Sequence, residues 1–157
     1  MTTTPRIGFA CKWIDLPEQV NGIKPKDAAK KYNTGTTTVR WLNNQSREIA
    51  EQKLWDLMIQ NIESSRLLVE RVSELSKSLR MVRLGSDIPP CYTHTDHRDF
   101  WLEPSAVSYA ETHFARLGST AKDNGVRLSF CPGRFTVLAS DNPGIVERGI
   151  EASNNVH

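Results

Sequence analysis

Three short apolar runs, each followed by a stretch of helical character, constrain the fold of this chain more than any other feature. The runs are Arg6–Ala10, Met81–Leu84 and Val126–Phe130. When a strand leads through a helix into the next strand, the two strands lie parallel and the crossover is right-handed. The order β-α, β-α, β-α therefore predicts an α/β fold with a parallel sheet.

A long helix beginning at Ser46 is the clearest periodic element. Serine is a preferred N-cap residue, and Glu48 and Glu51 lie near the positive end of the helix dipole. One stripe repeats close to every 3.6 residues, which predicts a buried helix face. Its members are Ala50, Leu54, Leu57, Met58, Asn61, Ile62, Leu68, Val69, Val72 and Leu75.

Two further helices are predicted. The second begins near Pro104 and ends at Asn124-Gly125, because proline suits the first turn of a helix and glycine suits its end. The third is capped by Asp141 or Asn142, with Pro143 in its first turn. The residues expected to face inward on the second helix are Val107, Ala110, Phe114, Leu117 and Ala121.

Length predicts one domain over residues 1–157, with a basic, loop-rich segment, 12–45, inserted after the first strand. Residues 1–47 carry eight Lys and Arg against three Asp and Glu, a balance of +5, whereas the remainder carries twelve against fifteen, or −3. A basic segment on a nearly neutral body indicates either a phosphate-binding surface or a solvated loop.

Composition excludes several classes of protein. No run of eighteen apolar residues exists, so a membrane span is not expected. The N-terminal residues lack the apolar core of a signal peptide, so the expected location is the cytoplasm. The three cysteines, Cys11, Cys91 and Cys131, fit neither a disulfide scaffold nor a CxxC zinc site, which favours reduced thiols.

Polar residues gather where the strands end. The three loops there begin at Cys11-Lys12-Trp13, at Gly85-Ser86-Asp87 and at Cys131-Pro132-Gly133-Arg134-Phe135. In parallel α/β folds such loops converge at one edge of the sheet and carry the chemistry. If the strands are neighbours, the thiols lie near one rim.

Three features of these loops have both a functional and a bland interpretation. The spacing Cys91-x2-His94-x2-His97 suits zinc in ligand type, but chance assembly in a polar loop is the alternative. Asp87 is a candidate ligand or base, or a turn former. Arg134 and Phe135 are candidates for nucleic-acid contact, because a cation binds phosphate and an aromatic ring stacks on bases. The alternative is an exposed Arg beside a buried Phe.

The chain resembles the N-terminal part of the UV damage endonucleases, the UvdE family of TIM-barrel repair nucleases. The resemblance spans residues 6–151 in the family's order. It rests on RIGFACKW, TTVRWL (37–42), Asn61, RLGSDIP (83–89), His94, RLSFCPGRF and NPGIVERGIE. It implies a TIM-barrel fold and incision of a DNA strand on the 5′ side of a lesion, with divalent metal (Mn²⁺ or Mg²⁺) in the barrel mouth.

The resemblance also assigns roles to individual residues. Asp87 is implied as catalytic, and His94 and Cys131 as metal ligands. Residues implied in DNA binding or lesion probing are Phe9, Lys12, Arg40, Ser86, Arg134 and Phe135.

Three positions depart from the family's pattern. Cys131 replaces a histidine ligand, and a thiolate favours Zn²⁺ over Mn²⁺. Arg134 replaces a glutamine, which adds charge and favours phosphate contact. Phe9 stands where some members have tyrosine.

A TIM barrel has eight βα units and about 250 residues, whereas three units are predicted here. The expectation is therefore an incomplete barrel, either truncated or completed by a second chain, because three strands with helices on one side expose an edge and a face. The function hypotheses are a DNA repair endonuclease, a non-catalytic DNA-binding remnant or half-barrel needing a partner, and a metal-dependent TIM-barrel isomerase fragment.

Overall fold

The three predicted strands lie side by side in one parallel sheet in the computed structural model, which describes residues 5–10, 12–86, 88–131, 142–144, 146, 147 and 150. The strands are β1 (Phe9–Ala10), β2 (Met81–Gly85) and β3 (Arg127–Cys131), in the order β1-β2-β3. The predicted parallel α/β architecture is confirmed, although β1 is shorter than the apolar run that predicted it.

The helices of the described residues are α1 (Pro25–Ala28), α2 (Val39–Asn43), α3 (Arg47–Ser73), α4 (Arg98–Leu102) and α5 (Pro104–Asp123). Short 3-10 turns occur at Pro17–Gln19, Ala29–Tyr32, Lys77–Leu79 and Thr95–His97. The helices α3 and α5 are the crossovers that return the chain from the end of one strand to the start of the next.

The helix α3 begins as predicted. The Ser46 hydroxyl accepts a hydrogen bond from the backbone N–H of Ile49 at 3.4 Å, which makes Ser46 the N-cap. The predicted stripe is buried from Ala50 to Val72. Ser65 is also buried, and its hydroxyl donates to the Asn61 carbonyl at 2.8 Å, which satisfies the polar atom inside the core.

The helix α5 also has its predicted ends, since it begins at Pro104 and stops at Asn124, followed by Gly125 with φ +62°. Its predicted inner stripe needs one correction, because Ala106 is buried and Val107 is exposed. Ala106 and Tyr109 share a face at i, i+3, and the Tyr109 ring packs edge-on against Trp55 with 5.7 Å between centroids.

The segment predicted to be loop-rich contains more regular structure than its polarity indicates. Pro25 opens α1, and the Thr38 hydroxyl accepts from the Trp41 N–H at 3.2 Å, which caps α2. Three apolar side chains of the segment are buried: Val20, Ala29 and Leu42. The predicted loop after β2 likewise contains α4, which buries Phe100 and Trp101.

The hydrophobic core lies between one face of the sheet and the helices α3 and α5. Val82 and Leu84 of β2 are buried against them, whereas Arg83 alternates to the other face and is exposed. A central parallel strand is normally covered on both faces. The described residues cover one face, so this part of the chain forms an incomplete barrel.

Part of the third predicted helix is described. The Asn142 side-chain oxygen accepts from the Gly144 N–H at 3.0 Å, and the Val146 N–H donates to the Asn142 carbonyl at 3.3 Å. These are the bonds of an N-cap and a first helical turn. Asp141, the other predicted cap, lies outside the described residues.

Candidate nucleic-acid interface

The carboxyl ends of the strands form one rim, as predicted from their order. Gly85 at the end of β2 lies opposite Cys131 at the end of β3, and Ala10 at the end of β1 lies opposite Arg83. Neighbouring strands in a sheet are about 4.8 Å apart. The chain therefore leaves the three strands at adjacent positions of the same edge.

Trp13 anchors the chain just beyond β1. Its ring packs edge-on against Phe9 and Tyr32, with 5.3 and 6.2 Å between centroids, and the Arg71 guanidinium lies 5.4 Å from its centroid. The indole N–H donates to Asp15 Oδ1 at 2.7 Å. This cluster fixes the start of the 12–45 segment against α3.

Asn33 fastens the same stretch from the other side. Its Oδ1 accepts from the Trp13 N–H at 2.8 Å, and its Nδ2 donates to the Trp13 carbonyl at 2.9 Å and to the Ala29 carbonyl at 3.0 Å. The side chain thus behaves like a strand partner for Trp13. The sequence carried no signal for this contact, because the two residues are twenty positions apart in a polar segment.

Asn61 joins two rim loops to α3 from inside the core. It is fully buried; its Oδ1 accepts from the Gly35 N–H at 2.7 Å, and its Nδ2 donates to the carbonyls of Gly35 and Ile88, each at 3.0 Å. A buried amide is retained only when its hydrogen bonds are made. A polar residue inside an apolar stripe indicates a buried hydrogen-bonding group, but it does not indicate that the partners are Gly35 and Ile88.

The segment that follows β1 is strongly basic at its surface. The exposed cations between residues 12 and 40 are Lys12, Lys24, Lys26, Lys30, Lys31 and Arg40. Two of the three acidic residues there, Glu18 and Asp27, are exposed, whereas Asp15 is buried with Arg71 Nη2 at 3.8 Å. The surface charge is thus more positive than the sequence count, which suits a polyanion.

The candidate DNA-contact residues differ in their exposure to solvent. Lys12 follows β1 directly and is exposed, and Arg40 is exposed on α2. Phe9 is half-buried against Trp13, and Ser86 is half-buried in the turn after β2. Arg134 and Phe135, and also the candidate catalytic Asp87, lie outside the described residues.

His94 lies beyond β2 in a polar cluster with Asp96, His97 and Asn43. Its Nδ1 accepts from the Asp96 N–H at 3.3 Å, and the two histidine rings are 6.3 Å apart. Asn43 donates to Asp96 Oδ2 at 2.8 Å, which leaves its own oxygen to accept from His97 Nε2 at 2.8 Å. The cluster ties α2 to the turn before α4.

Two pKa values in this cluster shift. Burial lowers the pKa of His97, against an opposing attraction from Asp96. The hydrogen bond from Asn43 lowers the pKa of Asp96. Near neutral pH the pair is therefore a neutral imidazole and a carboxylate.

Two adjoining clefts of about 360 and 420 Å³ open beside this cluster, between α2, the start of α3 and α4. Their acidic lining residues are Glu48, Glu51, Asp96, Asp99 and Glu103. Arg47, which lines both clefts, is paired with Glu51 at 2.6 Å. This charge repels phosphate, so the clefts are a poor surface for DNA despite their size.

The described residues do not make a metal site. Within that part of the chain, no three His, Cys, Asp or Glu side chains come together as ligands. Cys91, in the loop after β2, is half-buried with φ +59°, and burial raises its pKa, which disfavours the thiolate. The backbone of Cys131 ends β3, but Cys11 and the Cys131 side chain lie outside the described residues.

A parallel sheet with crossover helices and a basic rim at the strand ends defines a sector of an α/β barrel. The family model described as "UV-endonuclease UvdE" matches residues 5–156. The chain belongs to the UV-endonuclease UvdE family, which confirms the resemblance and leaves the isomerase alternative without support.

The names of individual relatives are consistent with this family. A UV DNA damage endonuclease of Bacillus thuringiensis subsp. konkukian is 27% identical over 115 residues, covering 73% of this chain and 34% of the relative. One from Bacillus anthracis (strain A0248) has the same values. A solved structure titled "Crystal Structure of SacUVDE" superposes on this chain with a TM-score of 0.66 at 17% sequence identity. The superposition covers 97% of this chain and 43% of the chain in the solved structure.

That likeness confirms the TIM-barrel type of fold. The chain spans about a third of the length of the curated relatives it matches. Among the described residues, no helix combines the length and apolar content that a bilayer-spanning helix needs.

Proposed function

We propose that this chain supplies the first three βα units of a DNA repair endonuclease of the UV-damage type, which incises a DNA strand 5′ to a lesion. The observation that carries the proposal is the family match over residues 5–156, which includes all three strands and their rim. The relatives are named UV DNA damage endonucleases, and they are 27% identical to this chain over 115 residues.

The rim supports DNA as the partner. Six exposed cations and two exposed carboxylates lie between residues 12 and 40, and the hydrogen bonds of half-buried Asn33 and buried Asn61 fix the backbone of this segment. Cations that are held in place release the counterions of DNA phosphates on binding. In this proposal Lys12 and Arg40 contact phosphates, and Phe9, Ser86, Arg134 and Phe135 probe the damaged nucleotide.

The metal is part of the proposal. Cys131 and His94 are its candidate ligands in this chain, with Asp87 as the candidate catalytic residue. A bound divalent cation supplies charge for the scissile phosphate and an activated water. The described residues alone bring no group of three ligands together, so further ligands are required to hold the ion.

The ligand assignment has its own test. Cys131→His is expected to raise the affinity for Mn²⁺, because imidazole suits that ion better than a thiolate does. Isothermal titration with Mn²⁺ and Zn²⁺ measures the change. An unchanged Mn²⁺ titration would exclude Cys131 as a ligand.

In one alternative the chain binds damaged DNA but does not incise it by itself. The described residues cover one face of the sheet and leave the other face open. In this alternative the chain is a non-catalytic DNA-binding remnant, or a half-barrel that binds damaged DNA and incises it only with a second chain.

Nicking of UV-irradiated supercoiled plasmid in Mn²⁺ separates the two, with unirradiated plasmid as the control. Irradiation-dependent nicking that EDTA abolishes supports the endonuclease. Salt-sensitive binding of the irradiated plasmid without nicking supports the DNA-binding half-barrel. Neither nicking nor binding would reject both.

A further inference from the structure

The four residues that follow Lys12 alternate between the protein and solvent. Trp13 packs into its aromatic cluster and Asp15 is buried, whereas Ile14 and Leu16 are 75% and 56% exposed. Such alternation is that of an extended strand with one face on the protein. Here the outward face carries two aliphatic side chains instead of polar ones.

The exposure of Ile14 and Leu16 is imposed by their neighbours. Asn33 holds both backbone groups of Trp13, and the Trp13 indole N–H holds the Asp15 carboxylate at 2.7 Å. Since Trp13 and Asp15 are fixed inward, the side chains between and after them must face outward. The segment therefore cannot bury the two side chains by a simple rotation.

The charge of the segment that carries the pair selects the partner. Lys12 precedes the pair and the exposed Glu18 follows it, and the same segment continues with five exposed cations: Lys24, Lys26, Lys30, Lys31 and Arg40. A second protein would need an acidic, apolar surface to match. DNA with a local gap in its base stack presents both phosphates and the apolar faces of unstacked bases, and apolar side chains inserted at such steps are a known mode of contact.

We propose that Ile14 and Leu16 form an apolar wedge that contacts unstacked bases where a lesion opens the duplex, while Lys12 and the later cations of the same segment bind the phosphates. The inference rests on the proposed function and adds two specificity-determining residues to it. The wedge is therefore expected to raise the affinity for damaged DNA. It is not expected to raise the affinity for an intact duplex, because stacking covers the faces of the bases there.

The test is fluorescence anisotropy of the full 157-residue chain on two labelled duplexes of one sequence, one intact and one with a single tetrahydrofuran abasic analogue. The double variant Ile14→Ser/Leu16→Ser is expected to bind the abasic duplex about tenfold more weakly, because apolar contact area is lost. Its affinity for the intact duplex is expected to stay within about twofold.

Ile7→Ser is the matched control. Ile7 is 73% exposed, like Ile14, but it precedes β1 at the opposite end of the strand. The control is expected to bind both duplexes as the wild type does. A further variant, Ile14→Lys, is expected to strengthen binding to the intact duplex and to reduce the preference for the abasic one.

The outcomes are distinct. If the wild type prefers the abasic duplex and the double variant keeps that preference, the wedge is wrong and the proposed function stands. If the wild type binds neither duplex, the proposed function fails and the wedge fails with it. If the double variant changes only a monomer–oligomer equilibrium in sedimentation, Ile14 and Leu16 contact a second copy instead.

Discussion

The side chain of Asn61 pairs with both backbone groups of Gly35. Its Oδ1 accepts the Gly35 N–H at 2.7 Å, and its Nδ2 donates to the Gly35 carbonyl at 3.0 Å and also to the Ile88 carbonyl. One buried amide on α3 thus joins the segment after β1 to the loop after β2. The relative position of these two loops depends on it.

Asn61→Asp is expected to destabilise the fold by about 3 kcal/mol or more, because the carboxylate cannot donate to the two carbonyls and is itself buried. Urea unfolding measures the loss. Asn44→Asp makes the same chemical change on an exposed residue, and it is expected to cost less than about 0.5 kcal/mol. Equal losses of stability for the two substitutions would show that the hydrogen bonds of Asn61 do not stabilise the fold.

Two glycines are expected to respond to alanine in opposite directions. A Cβ on Gly8 would lie 2.5 Å from the Met81 carbonyl oxygen, so Gly8→Ala is expected to push β1 from β2 and cost about 1–3 kcal/mol. Gly118 is exposed in α5 with open space around it, so Gly118→Ala is expected to stabilise by about 0.5–1 kcal/mol. Thermal unfolding measures both, and a destabilised Gly118→Ala would contradict the open site.

Lys12→Ala/Arg40→Ala is expected to weaken binding to intact and damaged duplexes alike and to lower the salt dependence by about one ion per lost phosphate contact. The measurement is log Kd against log salt concentration. Lys77→Ala is the control, because Lys77 is exposed before β2, at the other end of the sheet. A salt slope that falls equally in the control would show that charge alone, and not the rim, binds the DNA.

His97 gives the fold a pH dependence whose sign follows from burial. Its pKa is lowered in the folded chain, so below its unfolded value of about 6.5 the unfolded chain binds more protons and stability falls. Because His97 is partly solvated, the slope should be well under the limit of about 1.4 kcal/mol per pH unit for a whole proton. Asp96, with its pKa lowered, adds a loss only below its own unfolded value, near pH 4.

His97→Gln keeps a donor for Asn43 and removes the titration. Urea unfolding of the variant between about pH 5 and 7 is therefore expected to show a flatter stability profile than the wild type. An identical profile would mean that the imidazole does not titrate in this window.

The strongest periodic signals predicted the architecture. The α3 stripe from Ala50 to Val72, its Ser46 cap and the Gly125 stop of α5 were all readable, because burial and capping follow local rules. The parallel order of the strands followed from their alternation with helices.

What the sequence did not reveal depends on contacts far along the chain. Asn33 with Trp13, and Asn61 with Gly35, are polar pairs whose spacing carries no periodic signal. The helix α2 and the 3-10 turn Ala29–Tyr32 formed in a stretch that looks like a loop, because burial of Leu42 and Ala29 outweighs weak propensity. The roles of Asp87, Cys131, Arg134 and Phe135 stay predictions.

Recognition of damaged DNA by this rim is measured by the Kd of the wild-type chain for a UV-irradiated duplex and for the same duplex unirradiated, at one salt concentration. We expect tighter binding to the irradiated duplex by about tenfold or more, a difference of about 1.4 kcal/mol. Equal affinities would contradict such recognition, because basic charge alone binds both duplexes alike.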